Sequence, residues 1–358
     1  MAMKRNTDSR FELPKSKSVA AAGVLALLQG RAAAATDNFA DEKTVAAWQR
    51  EAAEGSPRAQ YELAKLLTSG NPVSADNRAA VKWLKKAAEK EHAASQHMLG
   101  VLIARGQGVR ADPAKATALF RAAAIMGNAD AQYDLGRALD WGFGCEENPK
   151  EARTWLRLAG AQGHVGAQFA VGVAYAQGRG CETNLTQAVS WLRKAALNHH
   201  AEAAYRLGEI YLRPDYPSRD NAEAFRWVGE SARAGFVPAQ YALALFYWAG
   251  RAVKRSPQQA YDWASRAAAQ GSVPALLLLS KLTEEGEAAA PDVCAAYALA
   301  LRAEKTADND ALKEEAQLRM RELTLKLTAS GVRAAEMLCD DCPETKDLLL
   351  AIGRSTKR

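Results

Sequence analysis

AQYDLGRALDWGFGCEENPKEARTWLRLAGAQG (131–163) and AQFAVGVAYAQGRGCETNLTQAVSWLRKAALNH (167–199) superimpose without a gap after a shift of 36 residues. The same shift carries through the chain and sorts it into columns. Small residues recur at Ala59, Ser95, Ala131, Ala167, Ala203, Ala239 and Ala275, followed four positions later by Leu63, Leu99, Leu135, Val171, Leu207, Leu243 and Leu279. Beside these runs a second small column, Ala64, Gly100, Gly136, Gly172, Gly208, Ala244 and Ser280. Small, large and small at i, i+4 and i+5 describe one helix face pressed by a close neighbour.

Each row holds a second helix as well. Its alanines stand at Ala80, Ala116, Ala152, Ala188, Ala224, Ala260 and Ala296, and its large column is Trp83, Leu119, Trp155, Trp191, Trp227, Trp263 and Leu299. The tryptophans read as core, so truncating one such as Trp191 is expected to cost about 3–5 kcal/mol. Gly70, Gly106, Gly142, Gly178, Gly250 and Gly286 fall where the first helix must end in a left-handed residue. Asp76, Asp112, Asn148, Asn184, Asp220, Ser256 and Asp292 precede the second helix with side chains able to accept from its free amides. The pattern gives seven helix pairs over 57–305, an N-terminal half-repeat over 36–56 and a C-terminal helical cap and tail over 306–358. One pair cannot bury both of its apolar faces, so each leans on the next and stability is a sum of repeat and interface terms.

The 358 residues carry a net charge of +6, which invites a nucleic-acid reading. Residues 1–35 alone contribute +4 through Lys4, Arg5, Arg10, Lys15, Lys17 and Arg31 against Asp8 and Glu12. The rest is nearly balanced, unlike the basic footprint of a nucleic-acid binder. Residues 1–35 also follow the order of a secretory leader: basic to Ser18, apolar from Val19 to Leu28, then alanines at 32–35. Export to the periplasm is the expectation, a cytoplasmic chain the alternative. No apolar run reaches the ~20 residues of a membrane span, so an integral membrane protein is not expected. Five cysteines make no disulfide framework. Cys145 and Cys181 occupy like positions one repeat apart, about 10 Å by helix packing and beyond bridging range. Cys339 and Cys342 form a lone CxxC, read as a structural pair or two unrelated thiols.

The pattern A-x-x-x-L-G-x-x-Y/L-x-x-G-x-G, then D/N-x-x-x-A-x-x-W-L-x-K/R-A-A, closely resembles Sel-1-like repeats, a branch of the tetratricopeptide superfamily. The resemblance implies an all-α, right-handed superhelical solenoid serving as a scaffold or adaptor. In bacteria such scaffolds are often exported and tied to envelope, polysaccharide or host-contact signalling. RPDYPSRD (213–220) departs from the pattern, replacing the G-x-G turn of the fifth unit.

In arrays of this type the first helices line a concave groove. Carried over residue by residue, the groove positions are Tyr61, His97, Tyr133, Phe169, Tyr205 and Tyr241, then Lys65 and Arg137 one turn on, then Arg105, Trp141, Arg213 and Trp248 near the helix ends. Aromatics and arginines on a rigid wall suit a protein or peptide partner; stacked rings also suit a glycan. The Tyr and Phe positions have a second reading, as consensus residues that pack helix on helix. No catalytic residue, cofactor or metal is expected. The G-x-G triplets follow helices rather than strands, and His92, His164 and His200 share one turn register across three units.

Overall fold

The computed structural model describes residues 42–70, 75–286 and 290–355, and the expected leader lies outside them. These residues are helical with no strand among them. The chain divides into two compact units, one ending at Trp191 and one starting at Leu192. The first contains α1 (Glu42–Ala53), α2 (Pro57–Ser69), α3 (Asn77–Glu89), α4 (Ala93–Arg105), α5 (Pro113–Ile125), α6 (Ala129–Trp141), α7 (Pro149–Ala161) and α8 (Val165–Gln177), and the division falls within α9 (Leu185–Leu197). The second contains α10 (Ala201–Leu212), α11 (Asn221–Arg233), α12 (Val237–Ala249), α13 (Pro257–Ala268), α14 (Val273–Glu285), α15 (Val293–Thr306), α16 (Asp310–Thr324), α17 (Ala329–Asp341) and α18 (Thr345–Ser355). From α1 to α8, and again from α10 to α16, consecutive helices pack on one another, as an all-α repeat solenoid requires. α16 and α17 both pack on α15, and α18 folds back on α13 and α15.

The chemistry that ends each helix is the one the columns indicate. Gly142 is representative of the six stops, with φ 67° and ψ 34°. All seven second-helix caps accept an amide of the first turn, from Asp76 on Ala79 at 3.0 Å to Asp292 on Ala295 at 2.9 Å. A further bond was not legible in the sequence. In every pair the cap residue's own N–H donates to the carbonyl nine residues earlier, as Asn148 does to Leu139 at 2.7 Å and Asn184 to Tyr175 at 2.9 Å. The fifth pair keeps this tie, Asp220 to Tyr211 at 3.1 Å, although α10 ends without a left-handed glycine. There Tyr216 turns inward and meets the Tyr211 ring edge-on at 5.6 Å, filling the turn with an aromatic in place of backbone.

The second small column has a steric cause. A Cβ on Gly100 would stand 2.7 Å from the Phe120 ring, one on Gly136 2.7 Å from Leu156, and one on Gly208 2.6 Å from Val228. These partners lie one residue beyond the tryptophan column, and Leu84, Phe120, Leu156, Leu192, Val228, Ala264 and Ala300 are all buried. The expectation for Trp191 is corrected accordingly. Of the tryptophans in that column only Trp227 is fully buried, while Trp83, Trp155, Trp191 and Trp263 lie at the margin with part of the ring in solvent. A ring in a shallow seat loses less on truncation than one that fills a closed core.

A buried glutamine column ties five of the seven pairs to the preceding helix, Ala204 and Leu276 standing at that place in the other two. Gln60 donates to Ala52 O at 3.0 Å, Gln96 to Ala88 O at 3.2 Å, Gln132 to Ala124 O at 3.2 Å, Gln168 to Gly160 O at 3.2 Å and Gln240 to Ala232 O at 3.4 Å. Each adds a second bond to a last-turn carbonyl that also accepts from the backbone N–H three residues on. In the second unit the buried Arg302 reaches the end of α17, donating to Cys339 O and Pro343 O at 2.7 Å and to Cys342 O. Cys339 and Cys342 are free thiols, as are Cys145 and Cys181. The CxxC segment therefore serves as the capped end of a helix.

Candidate functional site

In the first unit the candidate wall is one face of α2, α4, α6 and α8. Tyr61, Tyr133 and Phe169 are half-buried there. Tyr61 lies 5.4 Å from the His92 ring, and Tyr133 stacks on His164 at 4.4 Å with 21° between the planes. These tyrosines thus pack one repeat on the turn of the next and show the rest of the ring to solvent. Burial raises the Tyr61 hydroxyl above its usual range, with Lys65 opposing.

Both histidines stand at a helix start, and His164 caps its helix with the side chain. Nδ1 of His164 accepts from the Ala167 amide at 3.0 Å, leaving Nε2 to face the Asp130 carboxylate at 3.4 Å. His92 has no such cap bond, its Nδ1 lying 2.8 Å from Ser95 Oγ. Asn128 does the same work in the turn between, accepting from Ala131 at 2.8 Å.

One turn along the wall, Lys65 is exposed, bonded to Glu62 at 3.0 Å and 5.6 Å from the Tyr61 ring centre. The Arg137 guanidinium lies 4.2 Å over Trp141. Arg105 ends α4 at the place that Trp141 takes in α6. Its burial lowers its affinity for the proton, and Asp134 works against that. Asp134 is itself held by His97, Oδ2 to Nε2 at 2.7 Å. The structure therefore brings together Tyr61 with Lys65, and Arg137 with Trp141. Asp134, which the column reading passed over, joins the repeats at the centre of this wall.

In the second unit Tyr205 pairs with Phe236 at 5.4 Å, and its hydroxyl is raised by burial and by the neighbouring Glu209. Tyr241 is likewise raised by burial, with Glu315 adding to it. The face of Trp248 is occupied by Lys281 Nζ, 4.6 Å from the ring centre. Arg213 faces the turn rather than the wall, holding Asp215 through two bonds of 2.9 and 2.6 Å. The bidentate pair fixes its guanidinium in place.

No helix among the described residues is long and apolar enough to cross a membrane. Among curated proteins none is similar enough to match this chain. Among solved structures, a Sel1 repeat protein from Oxalobacter formigenes is similar at 28% identity over 83% of this chain and 86% of its own, with a TM-score of 0.62. A protective antigen of uropathogenic Escherichia coli with an SLR fold is similar at 22% identity over 91% of this chain and 83% of its own, with a TM-score of 0.42. The Sel1 repeat family model matches residues 57–92, 93–128, 129–164, 165–200, 201–236 and 237–272, six consecutive registers of the columns above. The chain belongs to the Sel1 repeat family, whose members are in general scaffolds for protein–protein interaction.

Proposed function

We propose that this protein is a non-enzymatic adaptor that holds a protein or peptide partner on the first-helix faces of its units. The observation that carries the reading is the pairing of a half-buried indole with a cation on each face, Trp141 with Arg137 in one and Trp248 with Lys281 in the other. Such pairs give a large, stiff contact surface at low entropic cost, the character of residues that dominate binding. Trp141→Ala and Trp248→Ala, alone and together, test it. Capture of the native partner is expected to fall while helical circular dichroism is unchanged, and full capture by the double variant would move the site elsewhere.

The half-exposed rings support a second reading, a polysaccharide or cell-wall-fragment binder. Titration of oligosaccharides against tryptophan fluorescence separates the two. We also propose that the protein is exported and serves the bacterial envelope or its signalling, on the basic, apolar and small-residue order of residues 1–35. N-terminal sequencing of protein from its native host tests this, and an intact Met1 would overturn it.

A further inference from the structure

Four basic residues belong to the candidate groove, and they differ in what they hold. Lys65 and Arg213 are paired with carboxylates of their own helix or turn. Arg105 and Arg137 have no carboxylate within ion-pair distance among the described residues, and the Nε of each is buried without a hydrogen-bond partner. Asp134, the acid that attracts Arg105, is engaged by His97 at 2.7 Å. A half-buried guanidinium with an unused donor is costly, because the group has lost water without gaining an acceptor.

The two are placed to act together. α4 and α6 are neighbouring first helices, joined directly by the His97 to Asp134 bond. Arg137 and Trp141 lie one turn apart on α6, and Arg105 stands at the Trp141 position on α4. An extended peptide shows every second side chain to one side, about 7 Å apart. Two neighbouring side chains of such a peptide fit this wall if the first is an acid and the second is apolar.

Building on the adaptor reading, we propose that the first-helix face of the N-terminal unit binds an extended acidic segment of a protein partner, its carboxylate taken by Arg105 and Arg137 and the adjoining apolar side chain laid against Trp141. The guanidinium fork matches a carboxylate through two N–H bonds, which the outer nitrogens of each arginine can offer to a partner while the Nε stays buried.

The test uses the full chain and a random library of C-terminally amidated dodecapeptides, so that every selected carboxylate belongs to a side chain. Selected peptides should be enriched in Asp or Glu two positions from an apolar residue. By fluorescence anisotropy, Arg105→Gln and Arg137→Gln should each weaken them about tenfold or more, with the Lys variants intermediate. Raising salt from about 0.05 to about 0.5 M should weaken them too. Circular dichroism checks that each variant is folded. Peptides that need Trp141 but carry no acid, or that bind the double Gln variant equally well, overturn the acidic chemistry and leave the adaptor reading standing. If no peptide depends on Trp141 or on either arginine, both fall at this face. Oligogalacturonate bound through the arginines where no peptide binds would overturn the proposal in favour of an acidic glycan.

Discussion

His97 and Asp134 meet across a repeat boundary, imidazole Nε2 to carboxylate Oδ2 at 2.7 Å, with Asp134 buried. A surface pair of this kind contributes little, whereas a buried carboxylate that loses its donor keeps the full cost of desolvation. His97→Ala is expected to destabilise the protein by about 1–3 kcal/mol in urea unfolding. Adding Asp134→Ala should recover part of the loss, and strictly additive losses would show that the two do not interact.

Partly buried histidines at helix starts make stability depend on pH. Burial lowers His200, with Glu202 opposing, and His92, with Glu62 opposing. His200 Nδ1 accepts from Ala203 at 3.1 Å, which only the neutral ring can do. The unfolded chain then takes up protons more readily than the folded one. The contribution is present above the usual value of 6.5 and is lost as pH falls towards the lower folded value. His200→Asn keeps a capping oxygen, like Asn128, and should flatten the pH dependence of the melting midpoint between about pH 5 and pH 7.5. An unchanged slope would count against the cap.

Core and margin separate by one residue. Phe120 is 1% exposed against Gly100, so Phe120→Ala should cost about 3–5 kcal/mol. Trp83→Ala, at the partly solvated position of the preceding repeat, should cost less. Equal losses in urea titrations would restore the tryptophan as the core residue.

Ala252 holds φ 60° where Gly108, Gly144 and Gly180 stand in earlier repeats. A side chain there opposes the left-handed backbone, so Ala252→Gly should stabilise by about 1 kcal/mol. Gly144→Ala should act in the opposite sense, by about 2 kcal/mol, because its Cβ would fall 2.1 Å from Pro113 O. Thermal midpoints that move together would refute the argument.

Arg302→Met replaces a buried guanidinium by a side chain of similar length and leaves its acceptor carbonyls open, at a cost of about 3 kcal/mol. Hydrogen exchange over residues 329–355 should quicken before the rest of the second unit. Unchanged exchange would mean that α17 needs no such cap. Burial raises the Cys342 thiol, with Asp347 adding and Arg302 opposing, so it should react slowly with disulfide reagents at neutral pH.

The repeat columns, the glycine stops and the Asp, Asn and Ser caps could be read from the sequence because each acts within one turn of its own helix. The glutamine ties and the histidine caps stood in columns too, at Gln60, Gln96, Gln132 and Gln168 and at His164 and His200. Period alone could not say that the first set reaches eight residues back to a carbonyl, or that the second turns Nδ1 onto an amide. The groove residues divided along the same line. Their register was legible, but Arg213 closing on Asp215 and Tyr133 lying on His164 depend on neighbours that the columns do not show.

By itself the sequence determined the helices, their ends and their order, because propensity, caps and a 36-residue period are local and repeated. Only the tertiary structure decided that the residue after the tryptophan fills the core, and that Lys65 is paired while Arg105 and Arg137 keep a buried Nε unbonded. Burial and pairing are set by what the next repeat places opposite a side chain, and that is a matter of distance in space rather than of position along the chain.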